Sequence, residues 1–515
     1  MYQMTSYIAL LIMVCCAACS AQPLPPSVKM TPIGDLALQS GKVQVPEKFK
    51  GKISENLELS LPSGYTAKIF HVGGLSKPRF LAWSPDSVLH VADKTLGQII
   101  ALPDKNRDGV ADTAIVVASG FNKSHDVKFY NGAMYVAEET KVTKCTDTNG
   151  DGFYETKTTF VSMVAGGQQG GGGHDTRTIV FDPQRKKMYL SIGSLCNACR
   201  EESRAIIEEW NDDGTGRRVF ATGCRNAVGM TMRNGKLWAT NNGFDWQGDD
   251  IPPEWIDIVR DGGFYGYPYA YAHGVWVDFT KPGGYSGLLP LTAEDSVKVK
   301  SMIQPAALVQ AHSAPMAIEF ANPSFPQKFR NGAFVAYRGS WNRTYATGFK
   351  VVYLDFDDEN DTTANYVADF VRGFLTDSLS KITWGRPVGL ETDTRGNLYL
   401  TSDDITRCII IISPTTTTKV KRELPPKKSS FGAVRNFPNP VNPTTQFQFS
   451  LQSSSPVTLK VFDMLGKEVA TIVNEELTAG EYTVEWNTET LSSGMYLYTL
   501  VSNNFMTANK LIVLK

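Results

Sequence analysis

A histidine set at the end of a glycine run is the part of the sequence best suited to chemistry. The stretch GGGGHDTRTIVF, residues 170–181, places His174 between four glycines and an alternating strand. Glycine runs are commonly flexible connectors. Glycine also lets a flat ligand lie against the backbone, with an imidazole that titrates near neutral pH held at its edge. The choice between these readings depends on where the fold puts His174.

A strand–turn–strand pattern recurs six times along the chain. In each unit an alternating strand is followed by a polar turn with Gly, Asp or Asn, and then by a second strand. The turns and second strands are SPDSVLHVAD (84–93), YNGAMYVAEE (130–139), DPQRKKMYLSIGS (182–194), RNGKLWATNNG (233–243), RNGAFVAYRGS (330–340) and DTRGNLYLTSDD (393–404). Such repeats are typical of a propeller. The sequence therefore predicts an all-β fold, a six-bladed β-propeller over residues 55–413, with a large insertion between residues 244 and 310.

The first residues of the inner strands meet at the mouth of a propeller's central channel. The residues at these positions are mostly cationic or able to become so: Arg79, His125, His174, Arg225 with Asn226, His312 and Arg386. Any one of them could be structural, but packing alone rarely selects histidine or arginine at equivalent positions. The pattern favours an anionic or polar ligand on the axis.

The composition argues against some functions. With 51 Lys and Arg against 52 Asp and Glu, the net charge of -1 indicates neither a nucleic-acid-binding surface nor an acidic tail. Beyond the first residues, no stretch is apolar over the roughly 18 residues that a transmembrane helix needs.

The N-terminal stretch MYQMTSYIALLIMVCCAACSAQP predicts an export signal at residues 1–21. Its apolar part is too short to span a bilayer and is followed by small residues. Cleavage after Ala21 fits, and so does a lipid on Cys19, because CAAC resembles a lipobox. A buried N-terminal helix is the alternative.

The cysteines beyond the export signal are odd in number, so at least one thiol is expected to be unpaired. They are Cys145, Cys196, Cys199, Cys224 and Cys408. The sequence CNAC lacks the histidine of a haem attachment site and a second cysteine pair for zinc. It favours a local Cys196–Cys199 disulfide over a metal or redox site.

Two turns have oxygen ligands at loop positions 1, 3 and 5 and glycine at position 6, as calcium loops do. They are DKNRDGVAD (104–112) and DTNGDGFYE (147–155), and the candidate ligands are Asp104, Asn106, Asp108, Asp147, Asn149 and Asp151. Neither has glutamate at position 12, so tight hairpins are the alternative. A structural role is expected in either case.

The amino-acid composition of the chain changes after residue 413. Residues 414–431 are polar and rich in Pro, Thr and Lys, which predicts a linker. Residues 432–515 alternate again in short segments without cysteine, which predicts a small C-terminal β-sandwich.

Two resemblances give these patterns a meaning. Residues from about 60 to 413 resemble the soluble quinoprotein glucose/sorbosone dehydrogenase family, whose members are six-bladed propellers that bind pyrroloquinoline quinone (PQQ) and Ca²⁺. The stretches that carry this resemblance are KPRFLAWSPD, GHDTRTIVF, SIGSLCNAC, ATGCRNAVGM, GGFYGYP, HSAPMAIEF, FVAYRGSWNR and WGRPVGLETD. The C-terminal stretches NFPNPVNPTT, VFDMLGKEVATIV, GEYTVEW and SSGMYLYTL resemble the sorting tail of the type IX secretion system. That tail implies export through the periplasm to the medium or the cell surface, with the secretion machinery as a partner.

The first resemblance assigns roles to five side chains. His174 would be the catalytic base that takes the proton of a sugar hydroxyl as hydride leaves the same carbon. Arg225 would bind the quinone oxygen, with Asn226 beside it. Arg338 and Arg386 would pair with the cofactor carboxylates.

The same resemblance places a Ca²⁺ ion on the backbone carbonyls of Gly243 and Phe244. The chain departs from the glucose dehydrogenases at three positions. Gly173 stands where they have Asp, Trp384 where they have a second Arg, and Arg338 where they have Lys.

The sequence thus predicts an exported PQQ- and calcium-dependent dehydrogenase that oxidises an aldose or related polyol and passes electrons to an external acceptor. One alternative is a non-catalytic glycan-binding propeller. Another is a calcium-dependent lactonase-type hydrolase, which needs a carboxylate-rich metal site where this chain has His and Arg.

Overall fold

The computed structural model describes residues 24–162, 173–415, 420–423, 434–451, 454–489, 491–502 and 505–514. The chain divides into two compact units, Met1–Pro414 and Thr415–Lys515. The predicted export signal with Cys19 lies outside the described residues, as does the glycine run up to Gly172. In the described part of the chain, no helix is long and apolar enough to cross a membrane.

The described part of the first unit begins with two paired strands and a third strand that pairs with the last strand of the unit. The strands are β1 (Gln39–Lys42), β2 (Glu58–Leu61) and β3 (Tyr65–Val72), with a 3₁₀ turn at Glu47–Phe49 between β1 and β2. β1 pairs with β2, whereas β3 pairs with a strand more than 330 residues later.

Most of the described part of this unit is built from six largely antiparallel sheets. The first contains β4 (Pro78–Trp83), β5 (Leu89–Asp93), β6 (Gln98–Leu102) and β7 (Ile115–Ser119), and the second β8 (Asp126–Tyr130), β9 (Ala133–Ala137), β10 (Lys141–Thr146) and β11 (Thr156–Ser162). The third contains β12 (Arg177–Asp182), β13 (Lys187–Ile192), β14 (Ile206–Asn211) and β15 (Arg218–Thr222), and the fourth β16 (Met230–Arg233), β17 (Lys236–Asn241), β18 (Glu254–Val259) and β22 (Ala307–Val309). The short strand β19 (Gly263–Phe264) adds to β15 in parallel.

The fifth sheet contains β23 (Pro315–Phe320), β24 (Ala333–Tyr337), β25 (Lys350–Asp355) and β26 (Tyr366–Val371). The sixth contains β29 (Gly385–Thr392), β30 (Leu398–Ile405) and β31 (Cys408–Pro414), and β3 is its outer strand. Along the chain, the paired strands β27 (Leu375–Asp377) and β28 (Ile382–Thr383) come between these two sheets.

The six repeats predicted from the sequence are the first two strands of the six sheets. Their turns have the local conformation that the sequence indicates. Asn131-Gly132 and Asn234-Gly235 both have positive φ, at 45° and 74° and at 48° and 69°, as a type I′ hairpin turn requires.

The first strands of the sheets pack on one another in cyclic order. β4 packs on β8, β8 on β12, β12 on β16, β16 on β23, β23 on β29, and β29 on β4. Each of these first strands therefore packs between two others, and the order closes on itself. The sixth sheet joins the two ends of the unit, because the early strand β3 is its outer strand. Ile69 of β3 pairs with Ile410 of β31, and both side chains are fully buried.

The predicted insertion is wrong in its extent. Residues 254–259 and 307–309 are the third and fourth strands of the fourth sheet, so the excursion runs only from 260 to 306. It contains β20 (Ala270–Tyr271), β21 (Val275–Trp276), a 3₁₀ turn at Tyr285–Leu288 and the helix α1 (Ala293–Lys300). Thr292 and Asp295 cap α1 reciprocally.

The second unit has two antiparallel sheets in its described residues, and they share one apolar core that includes Phe447, Val484, Leu459 and Leu500. One sheet contains β32 (Val420–Glu423), β33 (Arg435–Phe437), β34 (Thr444–Leu451) and β37 (Gly480–Asn487), and the other β35 (Ser455–Phe462), β36 (Glu468–Leu477), β38 (Gly494–Ser502) and β39 (Phe505–Val513). β32 lies inside the segment that was predicted to be a linker. It forms a strand there because it pairs with β37, far along the chain.

The closure of the sixth sheet by β3 predicts that the first unit folds without the second. A chain ending after Thr415 keeps every strand of the six sheets, so we expect its main calorimetric transition within about 3 °C of that in the full chain. A chain that starts after Val72 loses β3, exposes the edge of β31, and should lose this transition. Loss of the transition in the chain ending after Thr415 would contradict the independence of the two units.

Candidate functional site

His174 stands just before β12 and is held by the end of β13. Its backbone N–H donates to the Ser194 carbonyl at 2.9 Å, and its Nδ1 lies 3.1 Å from that carbonyl and 3.0 Å from Ser194 Oγ. A carbonyl can only accept, so Nδ1 carries the hydrogen. The other ring nitrogen, Nε2, then has a free lone pair and is engaged by no described residue.

The surroundings of His174 keep it neutral. Burial lowers the pKa of His174, and the positive charges of Arg225, Arg204 and Arg177 lower it further, to about 3. The imidazole is therefore a proton acceptor at neutral pH, although a weak one while these charges stay uncompensated.

Two glycines allow the close approaches around His174. A Cβ on Gly173, which has a φ of 65°, would lie 2.0 Å from the Leu195 carbonyl oxygen. A Cβ on Gly193 would lie 2.6 Å from both His174 Cβ and Asn226 Oδ1. Gly173 therefore cannot be replaced by the aspartate of the glucose dehydrogenases without moving the backbone, and Gly193 lets His174 and Asn226 come together.

Two arginines that the sequence analysis missed support the His174 backbone. Arg177 Nη1 donates to the His174 carbonyl at 2.9 Å, and Arg204 Nη2 donates to the same oxygen at 2.7 Å. Both are buried. A possible signal for Arg177 was its place three residues after His174 on the inner strand, but Arg204 has no comparable signal.

Arg225 is fixed by two loops. Its guanidinium donates to the Asn197 carbonyl and to Asn197 Oδ1 at 3.2 and 3.0 Å, and it pairs with Asp245 at 2.9 Å. Its own carbonyl accepts from Ser194 N at 2.7 Å, which links Arg225 to the residue that holds His174. His174, Arg225 and Asn226 thus form one cluster.

The predicted disulfide is confirmed and lies beside this cluster. Cys196 and Cys199 are bonded, and Asn197 sits between them. Tyr267 Oη accepts from Cys199 N at 3.2 Å and donates to Glu201 at 2.8 Å. The cysteines left free in the described chain, Cys145, Cys224 and Cys408, are all buried.

A second cluster joins arginines from three sheets. Arg79 and Arg338 both pair with Asp403, Arg338 Nε at 3.0 Å, and Arg79 Nε donates to His125 Nδ1 at 3.0 Å. Burial raises the pKa of Asp403, but the two guanidinium charges outweigh it and lower the pKa overall. One carboxylate therefore serves two arginines here.

Arg386 belongs to this cluster but pairs with no carboxylate of the described chain. It donates to the carbonyls of Arg338 and Gly339 at 3.1 and 2.8 Å and lies over the Phe349 ring. Burial first, and then the charge of Arg338, lower the pKa of Arg386 to about 10. Trp384 stands where the glucose dehydrogenases have a second arginine. Its indole donates to the Gly373 carbonyl and packs on Phe374, so it is not free to bind a ligand in place of that arginine.

The other two histidines of the predicted ring make structural contacts. His125 is fully buried, accepts from Arg79, and leaves Nε2 without a partner among the described residues. His312 donates from Nε2 to the Gly248 carbonyl at 2.7 Å and so holds the loop after β17.

The carbonyls proposed for calcium lie in that same loop. Gly243 N donates to the buried Glu254 carboxylate, and the Phe244 ring stacks on Tyr267. No described donor bonds the Gly243 or Phe244 carbonyl oxygen, so both are available to a cation. Burial raises the pKa of Glu254 to about 8, despite the Gly243 N–H and the charge of Arg225.

The two calcium-like loops differ from each other. In the first, the Asp104 carboxylate accepts from the N–H groups of Asp108 and Gly109, as in a tight turn, and Asn106 donates to Asp108. In the second, Asp147 and Asp151 bring carboxylate oxygens within 4.8 Å of one another and of Glu155. Asn149 donates to Asp151 at 3.0 Å and to Glu155 at 3.3 Å.

The two arginine clusters together suit a small polyanion such as PQQ, which carries three carboxylates. Asp245 connects them, since it pairs with Arg225 and accepts from Asn342 Nδ2 at 2.9 Å, four residues after Arg338. Arg338 also lies 3.9 Å from Asp404, but Arg386 pairs with no described carboxylate, so the three arginines of the second cluster exceed its two carboxylates by one charge in a partly buried region. Buried charges are costly unless they are paired.

Comparison with known proteins identifies the families that the two parts of the chain match. Residues 59–415 match the family described as TrAA12-like, and residues 435–514 match the secretion system C-terminal sorting domain. An uncharacterized protein of Borreliella burgdorferi is 26% identical over 361 residues, which cover 67% of this chain and 88% of that protein.

Two solved structures share the fold of this chain. The iodide structure of the Trichoderma reesei Carbohydrate-Active Enzymes Family AA12 protein has a TM-score of 0.57 at 21% identity, covering 69% of this chain and 97% of that one. The holo form of the pyranose dehydrogenase PQQ domain from Coprinopsis cinerea has a TM-score of 0.57 at 20% identity, covering 72% and 98%.

The lowered pKa of His174 predicts its titration in the protein without added ligand. The folded pKa of about 3 lies below the unfolded value near 6.5, so the ring should stay neutral as the pH falls to about 5. NMR of ring-labelled histidine measures this, with His174→Gln to assign the signal and the denatured chain as reference. A midpoint near 6.5 in the folded protein would contradict the electrostatic assignment.

Proposed function

Since the chain belongs to the TrAA12-like family of PQQ-dependent sugar dehydrogenases and carries a type IX sorting domain, we propose that it is an exported dehydrogenase that oxidises an aldose or related polyol. The observation that carries this proposal is the pair of arginine clusters, in which Arg386 has no described carboxylate partner and Arg225 lies beside a neutral histidine with a free Nε2. The six sheets would be the blades of a six-bladed β-propeller, and the sheets of the second unit a β-sandwich. An export signal at residues 1–21 would precede them.

The arginines of the two clusters would hold the cofactor. Arg338 and Arg386 would bind its carboxylates, since a guanidinium fork matches a carboxylate in geometry and charge. Arg225 and Asn226, beside His174, would contact its quinone edge. Bound PQQ would supply a two-electron acceptor that takes hydride from the sugar carbon.

His174 would then act as the general base. Its Nε2 would accept the proton of the hydroxyl on the carbon that loses hydride, while Ser194 keeps the other ring nitrogen protonated. A general base works best when its pKa lies near the working pH. An anion bound beside Arg225 would offset the charges that depress the pKa of His174 and raise it toward that range.

Calcium has two proposed places. The free carbonyls of Gly243 and Phe244 would bind one ion next to Arg225, because Ca²⁺ takes carbonyl oxygens readily. The converging oxygens of Asp147, Asp151 and Glu155 would hold a second, structural ion, with Asn149 beside them. The loop with Asp104, Asn106 and Asp108 is the weaker structural candidate, because of the two described loops only the other brings three carboxylates together.

The role of His174 can be tested by removing its ring. His174→Ala should lower turnover of an aldose by at least about 100-fold, the usual contribution of a general base, while PQQ still binds. His273→Ala changes an exposed histidine of the same unit and should leave turnover unchanged. Equal turnover in His174→Ala and the parent protein would remove His174 from the mechanism.

The role of Arg386 can be tested separately. Arg386→Ala removes a cation that no described carboxylate compensates, so PQQ binding measured by absorbance should weaken by about tenfold or more. Arg372→Ala, at a mostly exposed arginine, is the matched control. If the parent protein folds but takes up no PQQ with Ca²⁺ present, the glycan-binding alternative replaces the dehydrogenase.

A further inference from the structure

Two exposed tryptophans stand next to the residues that hold Arg225. The side chains of Trp246 and Trp341 are 47% and 61% exposed, although indole is the side chain with the largest apolar area. Their ring centroids lie 5.3 Å apart and the ring planes are inclined by 86°. The two indoles therefore form the perpendicular walls of an open corner. Tyr345, 57% exposed, follows on the same loop as Trp341.

The backbone holds Trp246 in this position at a cost. Its φ is 68°, in the left-handed region that residues with a side chain avoid. The ring lies against the backbone of Gly283, where a Cβ would come within 2.8 Å of Trp246 Cδ1. The conformation is strained although about half of the ring stays exposed to solvent, and such strain concentrates at functional sites.

The corner is tied to the proposed catalytic site through one carboxylate. Asp245 precedes Trp246 and pairs with Arg225 at 2.9 Å, and it also accepts from Asn342, which follows Trp341, at 2.9 Å. The two loops are joined again where Thr344 N donates to Asp249 at 3.1 Å. Both indoles thus belong to the same rigid frame as the arginine proposed to contact the quinone.

The chemistry of the corner suits a sugar ring better than an apolar partner. A pyranose with equatorial hydroxyls presents a face of C–H groups, which packs on an aromatic face, and a rim of hydroxyls, which need polar partners. Asp249, Asp250 and Arg343 follow within four residues of Trp246 or Trp341 along the chain and supply polar groups, and Asp250 is 44% exposed. Carboxylates at this position disfavour insertion into a lipid surface.

We propose that Trp246 and Trp341, which we call the aromatic corner, bind a pyranose unit of an oligosaccharide whose neighbouring unit lies at the catalytic site. This inference rests on the proposed function, because it places the oxidised unit beside Arg225 and His174. The substrate class is then the end of a β-linked oligosaccharide rather than a free monosaccharide alone.

The experiment combines binding and turnover in the full-length protein. Binding is measured by calorimetry without PQQ, using borohydride-reduced cellotetraose, which has no hemiacetal end to oxidise. Turnover is measured with PQQ and Ca²⁺ on glucose, cellobiose and cellotetraose. The variants are Trp341→Ala, Trp341→Phe, which keeps an aromatic face, and Phe437→Ala, which removes an exposed ring of the second unit.

The aromatic corner predicts a higher kcat/KM for cellotetraose than for glucose in the parent protein. Trp341→Ala should weaken binding of reduced cellotetraose, and lower kcat/KM for cellotetraose, by about tenfold, while glucose turnover changes less than about twofold. Trp341→Phe should recover most of the loss, and Phe437→Ala should show none.

The two proposals fail in different ways. If glucose is oxidised but reduced cellotetraose does not bind, or binds equally to Trp341→Ala, the aromatic corner is overturned and the dehydrogenase stands. If no sugar is oxidised but reduced cellotetraose binds in a manner that depends on Trp341, the corner stands and the dehydrogenase fails.

Discussion

The buried carboxylate of Asp403 is the interaction on which the centre of the first unit depends. Its side chain is fully buried on β30, and it receives Arg79 from the start of β4 and Arg338 from the end of β24. The first, fifth and sixth sheets thus meet on one charge. Removing that charge would leave two guanidinium groups uncompensated in a region of low dielectric, which costs several kcal/mol per ion. The sheets and the ion pairs are therefore mutually dependent.

The same arrangement explains why the site has positive charge to offer. Asp403 is shared by two arginines, and Arg386 adds a third cation that only carbonyls and an aromatic face solvate. In the other cluster, the charges of Arg225, Arg204 and Arg177 help to depress the pKa of His174. Because the folded pKa of about 3 lies below the unfolded value near 6.5, protonation of His174 favours the unfolded state, and stability falls as the pH decreases from about 6.5 to about 3. Burial lowers the pKa of His71, His90 and His125 in the same direction.

The repeat spacing was enough to predict which residues start the inner strands, because each hairpin is a local structure with its own turn signal. It could not predict what each side chain binds. His125 and His312 occupy the predicted ring, yet one accepts from Arg79 and the other holds the Gly248 carbonyl. Those contacts depend on which sheets become neighbours. Arg204 lies on no inner strand, so nothing in the spacing marked it.

Two errors of extent have different origins. The strand Glu254–Val259 (EWIDIV) is a short segment rich in apolar and β-branched residues, as a fully buried strand is, and could have been found inside the predicted insertion. Val420–Glu423 could not, because its neighbours are Thr, Lys and Pro and its partner β37 lies some 60 residues on. Gly173 shows the opposite case, where a departure from the related family has a local cause. The Leu195 carbonyl leaves no room for a side chain.

The sheets and the loops position different residues of the site. The sheets fix where inner strands begin, and so bring Arg79, His174 and Arg386 toward one axis. The orientation of Arg225 is instead set by loops, through Asn197 in the disulfide-closed turn and through Asp245. Because Asp245 also binds Asn342, the cation at the proposed reaction centre and the indole of Trp341 cannot move independently. A ligand that fills the aromatic corner therefore acts on the same loops that orient Arg225. Binding of a sugar unit away from the reacting carbon can in this way affect the position of Arg225 at the proposed reaction centre.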